Sequence, residues 1–248
     1  MKQLVKFSLV LVLAFIICKI TPPLNELTKL PVVVKFKSAI APIVEKVDAD
    51  TVISSTVIDT SYSFFSKNVE QGIIDEINLM RLNPKAYAEK YIHPRRKNFK
   101  GKRYLTSPIN IRTNEGERAV IECVRAMSRT APMQTMNFYK PLYNLAHEQM
   151  ILQGKTSQTG HSTPDGRSFS QRCSEHLPRD VAAAENISYG EETPREIVIQ
   201  LLIDDGVPSR GHRINLLGSQ YNAVGVAVGK HKKYESMCVM DFGVVLAD

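Results

Sequence analysis

Residues 185–217 read ENISYGEETPREIVIQLLIDDGVPSRGHRINLL, and the punctuation of this stretch decides the fold. Thr193-Pro194-Arg195-Glu196 is a helix start. The Thr193 hydroxyl can accept from a first-turn N–H, Pro194 suits the first helical position, and Glu196 can close a capping box. IVIQLLIDD follows, apolar on nearly every side except at Gln200, the pattern of a helix buried over most of its surface. Gly206 and Pro208 predict its end. Asp204 and Asp205 then fall in the last turn, where the helix dipole disfavours negative charge by about 0.3–1 kcal/mol. A partner is expected among Arg210, His212 and Arg213. Glu185 opens the stretch and His212 stands near its end. A second histidine, His161, lies in TGHSTPDG, 24 positions before Glu185. His161, Glu185 and His212 are expected to converge in space.

Working outward, NAVGVAVG alternates with period two, KHKK makes a turn, and ESMCVMDFGVVL returns. This predicts a β-hairpin, with Gly225 leaving one face open to a close backbone approach. On the other side, VAAAENISYG reads as extended around Glu185–Ser188. TSQTGHSTPDGRSF is polar, with a turn at Pro164-Asp165-Gly166 and a short helix over 168–173. PLYNLAHEQMILQG predicts a helix with Leu142, Leu145, Met150 and Leu152 on or near one face and Gly154 as its stop. His147-Glu148 begins an H-E-x-x-H look-alike, but Ile151 occupies the second histidine's place, so a zinc-protease helix is excluded. A further helix covers 116–129. Val69, Ile73, Ile77 and Met80 recur at helical spacing in a helix that stops before Asn83-Pro84, and Pro84 opens another short one. Helices, a site loop, a strand, a helix and a hairpin together indicate an α+β fold with helices packed on an antiparallel sheet.

The chain of 248 residues suits one domain, or one domain plus an appendage, and its 43% apolar content can fill a core. Residues 1–22 read as a secretory signal peptide, with an uncleaved signal anchor as the alternative: Lys2 and Lys6 precede the short apolar run FSLVLVLAFII. Residues 23–66 form an N-terminal segment punctuated by Pro23, Pro31 and Pro42, with β-like VVVKF and TVISSTVI. The formal charge is +7, and loss of Lys2, Lys6 and Lys19 with the signal leaves about +4, which is no nucleic-acid signature. Residues 93–103, HPRRKNFKGKR, hold six cations in eleven positions. This predicts a surface loop that is either a solvated face or a contact with an anionic membrane surface, where each cation adds about 1 kcal/mol. Cys123, Cys173 and Cys238 remain after the signal, an odd number that implies one disulfide and one buried thiol; Cys173 and Cys238 are the candidate pair.

NLMRLNPKAYA, GHSTPDGRSF, AENISYG and GHRINLL resemble motifs of the CAP superfamily, whose shared unit is the SCP domain of cysteine-rich secretory proteins, antigen 5 and pathogenesis-related proteins. LIDDGVPSRGHR is similar to the microbial and protist branch. The resemblance runs from about residue 68 to 247, within an expected domain at 67–248. It implies an α-β-α sandwich with the sheet between helical layers, a secreted location, and a central cavity lined by two histidines and two acids. His161, Glu185 and His212 match three of these. The family's second acid is a glutamate on the helix before the last histidine; here Asp204 or Asp205 stands in, or the position is vacant. The family's usual disulfide pattern is missing.

Two imidazoles and a carboxylate can hold a divalent cation such as zinc with one position open. The same trio can do acid–base work, or form a hydrogen-bonded polar core. Asn186 lies in an Asn-Ile-Ser glycosylation sequon, Arg213 is expected to pair with Asp204 or Asp205, and Cys123 to be a small core residue. Two functions follow. One is a secreted binding module for a lipid, a sterol or an extracellular protein surface. The other is an extracellular metal-assisted hydrolase acting on peptides, with Glu185, His161 and His212 as its catalytic candidates. The absence of a nucleophile elbow and of H-E-x-x-H favours the first.

Overall fold

The computed structural model of the protein describes residues 67–106 and 110–246. The signal peptide expected over 1–22 and the segment 23–66 lie outside the described residues. The helix α1, Lys67–Leu82, begins the described chain. Its Val69, Ile73, Ile77 and Met80 are all buried, as their spacing requires. Asn83 caps α2 (Pro84–Tyr87) by accepting from the Ala86 N–H, and a π turn and a 3-10 turn carry the chain to Asn98. Three short strands follow, β1 (Phe99–Lys100), β2 (Arg103–Leu105) and β3 (Asn110–Arg112), paired antiparallel in that order. The cation-rich stretch expected as a loop is thus partly built into a small sheet.

Helix α3 spans Glu117–Ser128, β4 Asn137–Phe138, α4 Lys140–Gly154, and α5 Phe169–His176, the last opened by a Ser168/Gln171 capping box. Then come β5 (Ala182–Tyr189), α6 (Pro194–Ile203), α7 (Gly211–Leu216) and the hairpin β6 (Ala223–His231) and β7 (Glu235–Val244). The main sheet runs β4-β6-β7-β5. β7 is antiparallel to both β5 and β6, while the two-residue β4 joins β6 in parallel.

Period-two alternation divides the sheet's side chains between two helical layers. Val224, Val226, Val228, Cys238, Met240 and Phe242 pack with buried residues of α1, α3 and α6. Ile187, Ala227, Met237 and Val239 pack on Ala146 and Met150 of α4, so the sheet is the middle of an α-β-α sandwich. At the central strand the approach of α4 is close. A Cβ on Gly225 would land in the backbone of Leu142 and Tyr143, so only glycine is accommodated there.

The same parity overturns the expected disulfide. Cys238 points to the α1/α6 layer and Cys173 lies with Leu142 and Leu145 on the α4 side, so the sheet separates them. Among the described residues there is no disulfide. Burial pushes the Cys123 thiol up to about 12, as suits a core residue. No helix among the described residues is long and apolar enough to cross a membrane.

Candidate functional site

Helix α6 is built as its first residues dictate: Thr193 Oγ1 accepts from the Glu196 N–H. The capping box is half made, because the Glu196 carboxylate turns instead to a bidentate pair with Arg95, at 2.6 and 2.7 Å. The helix ends earlier than Gly206 predicts. Asp204 takes the left-handed conformation (φ 56°) as its C-cap, which an aspartate tolerates better than most residues. The turn leads directly into α7, and the two aspartates lie outside the helix's last turn.

Asp204 is buried and works as a hub. Its Oδ1 lies 2.7 Å from His212 Nδ1, and its Oδ2 accepts from the backbone N–H of His212 (3.0 Å) and of Arg213 (3.3 Å). Asp205 accepts from the N–H groups of Asn114 and Glu115. Asp204 is therefore the acid that meets His212. The Arg213 guanidinium does not pair with either aspartate; it binds the Leu202 and Ile203 carbonyls and the Glu122 carboxylate. Arg210 joins Glu115 and Glu122, and its hydrogen bonds hold both carboxyls down at about 2.

The second dyad lies on the α4 side of the sheet. His161 Nδ1 is 2.9 Å from Glu185 Oε1 on β5. The other Glu185 oxygen accepts from Arg172 Nη2 at 2.7 Å, and both members of that pair are buried. Arg172 also reaches the Leu145 and His161 carbonyls, and Gln149 binds the Gly160 and Ser162 carbonyls, so the His161 loop is held from two helices. An amide pair, Asn186 buried and Asn215 half-buried, links the dyads. Asn215 Nδ2 donates to Asn186 Oδ1 and to the Glu185 carbonyl, while Asn186 Nδ2 donates to the His212 carbonyl. Asn186 is fully buried with both amide atoms engaged, which closes its sequon to glycosylation in the folded chain.

The four expected residues thus form two histidine–carboxylate dyads. Sequence reasoning missed Arg172, which no local pattern signals, and Asp241 of β7. Asp241 faces Glu185 across the strands, fully buried and with no hydrogen-bond partner on either oxygen among the described residues. It also missed Arg81, whose buried guanidinium holds the Leu216, Gly218 and Tyr221 carbonyls after α7; the NLMRLNP motif contained it.

A shared divalent ion does not fit this arrangement. Among the described residues, the three-residue group with ligand atoms within 4.8 Å of one another is Glu148, Glu175 and His176, not His161, Glu185 and His212. Arg172 already supplies the positive charge at Glu185. Arg167, paired with both Glu148 and Glu175 at 2.7 Å, does the same at the other group.

A groove of about 370 Å³ opens between the small sheet, α6 and β5. Phe99, Tyr104, Ile111, Ile187, Ile199 and Ile203 give it an apolar lining, and Asp204 and His212 stand in its wall. His161 and Glu185 do not line it.

The family model of the cysteine-rich secretory protein family, CAP, matches residues 74–242. No curated protein sequence matches the chain. Among solved structures, an outer surface protein from Borrelia burgdorferi is 20% identical, with a TM-score of 0.38, covering 45% of this chain and 78% of that one. An extracellular protein containing an SCP domain from Bacillus anthracis is 19% identical, with a TM-score of 0.35, over 50% of this chain and 36% of that one. A cysteine-rich secretory protein from Staphylococcus aureus is 15% identical, with a TM-score of 0.35, over 56% of this chain and 43% of that one. The match thus spans less than half the length of the last two. With the family model covering most of the chain and the α-β-α architecture in place, the protein belongs to the CAP family of cysteine-rich secretory proteins.

Proposed function

We propose that this chain is a secreted binding module that takes an apolar or amphiphilic small molecule, of lipid or sterol type, into the groove beside α6. The groove carries the reading: it is concave and mostly apolar, with polar groups near both ends of α6, Arg95 and Glu196 at one and Asp204 and His212 at the other, the usual make-up of a ligand site. His212 turns Nδ1 to Asp204, which leaves Nε2 as the ring atom to meet a polar head. The His161–Glu185–Arg172 cluster lies outside the groove and holds β5, α4 and α5 together. The signal-like sequence over 1–22 supports secretion.

The test is displacement of a fluorescent fatty-acid analogue and of a labelled sterol. Ile111→Glu changes a half-exposed groove residue without touching the core. It should weaken binding at least tenfold, about 1.4 kcal/mol, while Glu185→Ala should leave ligand affinity close to the wild type in protein that stays folded. Loss of peptide hydrolysis on Glu185→Ala, with no ligand bound in the groove, would sink the reading and favour the hydrolase.

A further inference from the structure

Residues 93–112 contain Arg95, Arg96, Lys97, Lys100, Lys102, Arg103 and Arg112 and no Asp or Glu. These seven account for the whole formal excess of +7; the remaining Lys and Arg balance the 25 acids. Glu196 and Glu117 neutralise Arg95 and Arg96. The other five have no carboxylate partner among the described residues, whereas Arg167, Arg172, Arg195, Arg210 and Arg213 each pair with at least one.

The register sharpens this. Lys100 stands opposite Arg103, and Arg103 opposite Arg112, so three cations form one row across β1, β2 and β3 on a single face. Like charges directly opposite destabilise a strand pair, and strands this short have little else to offset the cost. The other face carries the row Phe99–Tyr104–Ile111 in the same register and lines the groove. The sheet is therefore held by its apolar face while its cationic face works against it. Lys100, Lys102, Arg103 and Arg112 also surround a concavity of their own. Leu105, 41% exposed, lies two residues beyond Arg103 and so on the same face.

We propose that this cationic row docks the protein on an anionic phospholipid surface. The guanidinium and ammonium groups meet lipid phosphates, and Leu105 enters the interfacial layer. Planar guanidinium forks match phosphate oxygens, the anionic surface removes the repulsion within the row, and a cation row beside an exposed aliphatic residue suits a membrane interface. Lys100, Lys102 and Arg103 lie away from the groove, while Arg112 stands at the edge between the two and lines both.

Sedimentation of the full chain with vesicles tests this, using phosphatidylcholine alone and phosphatidylcholine with phosphatidylserine. The neutral vesicles measure any partition through the N-terminal apolar run. The triple variant K100Q/R103Q/R112Q should lose about 100-fold in partition onto the anionic vesicles, at roughly fivefold per cation. Partition onto the neutral ones should be unchanged. K232Q/K233Q, in the β6–β7 turn, should stay within about twofold of wild type. A far-UV circular dichroism spectrum and a thermal melt matching the wild type show that the triple variant is folded; should it fail to fold, Arg103→Gln alone carries the test with its expected loss of about fivefold. Wild-type sedimentation of the triple variant, or an equal loss in K232Q/K233Q, overturns the proposal. Displacement by inorganic phosphate well beyond that by chloride at matched ionic strength also overturns it, in favour of a discrete phosphate site.

Discussion

Asp241 stands directly opposite Glu185 across β5 and β7, so two carboxyl groups share one buried layer with the Arg172 guanidinium. Of the two, Glu185 is hydrogen-bonded to that guanidinium; Asp241 has no partner on either oxygen among the described residues, and burial followed by the Glu185 charge pushes its carboxyl well above the usual range. The fold thus binds a proton that the unfolded chain releases near pH 4.

The sign follows from linkage. A carboxyl raised in the fold contributes most below its unfolded pKa, and the contribution falls as pH rises from about 4 toward the folded pKa, at about 1.4 kcal/mol per pH unit. Asp241→Asn removes the titration. Thermal melts should show variant and wild type converging near pH 4 and the variant gaining as pH rises. Parallel curves between pH 4 and 8 would show that Asp241 does not hold its proton.

Arg172→Met leaves Glu185 buried beside Asp241 with no guanidinium. The expected loss is about 3–5 kcal/mol in urea unfolding, the cost of removing one partner of a buried ion pair, with His161 the remaining side-chain contact of Glu185. The further change Glu185→Leu should recover much of it. If the double variant were no more stable than the single one, the cost would lie in lost packing of Arg172 and not in the stranded carboxylate.

Arg210→Ala removes the largest of the interactions that hold Glu115 and Glu122 at about 2, leaving Glu115 with Arg118 and the Gly206 N–H, and Glu122 with Arg213. Depressed carboxyls contribute stability that is present above about pH 4.3 and lost as pH falls toward 2. Glu122 is 43% exposed and screened by solvent, so the loss at pH 7 should be about 1–2 kcal/mol. Melting curves of wild type and variant should then close up near pH 2. A gap that persists unchanged at pH 2 would assign the loss to the Asp204 and Val207 carbonyls that Arg210 also binds.

The two-dyad geometry predicts how zinc behaves. His161→Ala and His212→Ala should destabilise the chain additively, within about 0.5 kcal/mol, because the rings share no partner side chain. Calorimetric titration with zinc should show no stoichiometric site that either substitution abolishes. One tight site lost in both variants would mean that the rings swing together around an ion.

Gly225→Ala tests the sandwich itself. The added methyl meets the α4 backbone, which cannot move aside as a side-chain tip can. A loss of about 2–3 kcal/mol or more in urea unfolding is expected; a loss under 0.5 kcal/mol would mean that α4 can shift off the strand.

Local chemistry made much of this protein legible from its residues alone. The Thr193-Pro194 start, the apolar run of α6, the helical spacing in α1 and the alternation in β6 and β7 all depend on neighbours in the chain, where propensity and period act directly. The choice of Asp204 over Asp205 rested on a left-handed turn that places one carboxylate under α7, and no pattern of charges reveals that. Strand parity put Cys173 and Cys238 on opposite sides of the sheet, and register paired Glu185 with Asp241 and Arg103 with Arg112. These contacts join residues distant in sequence, and their energies depend on which groups lose water together. Burial and register therefore decided the two dyads, the unpartnered carboxyl and the cationic row, while the sequence by itself determined the elements that carry them.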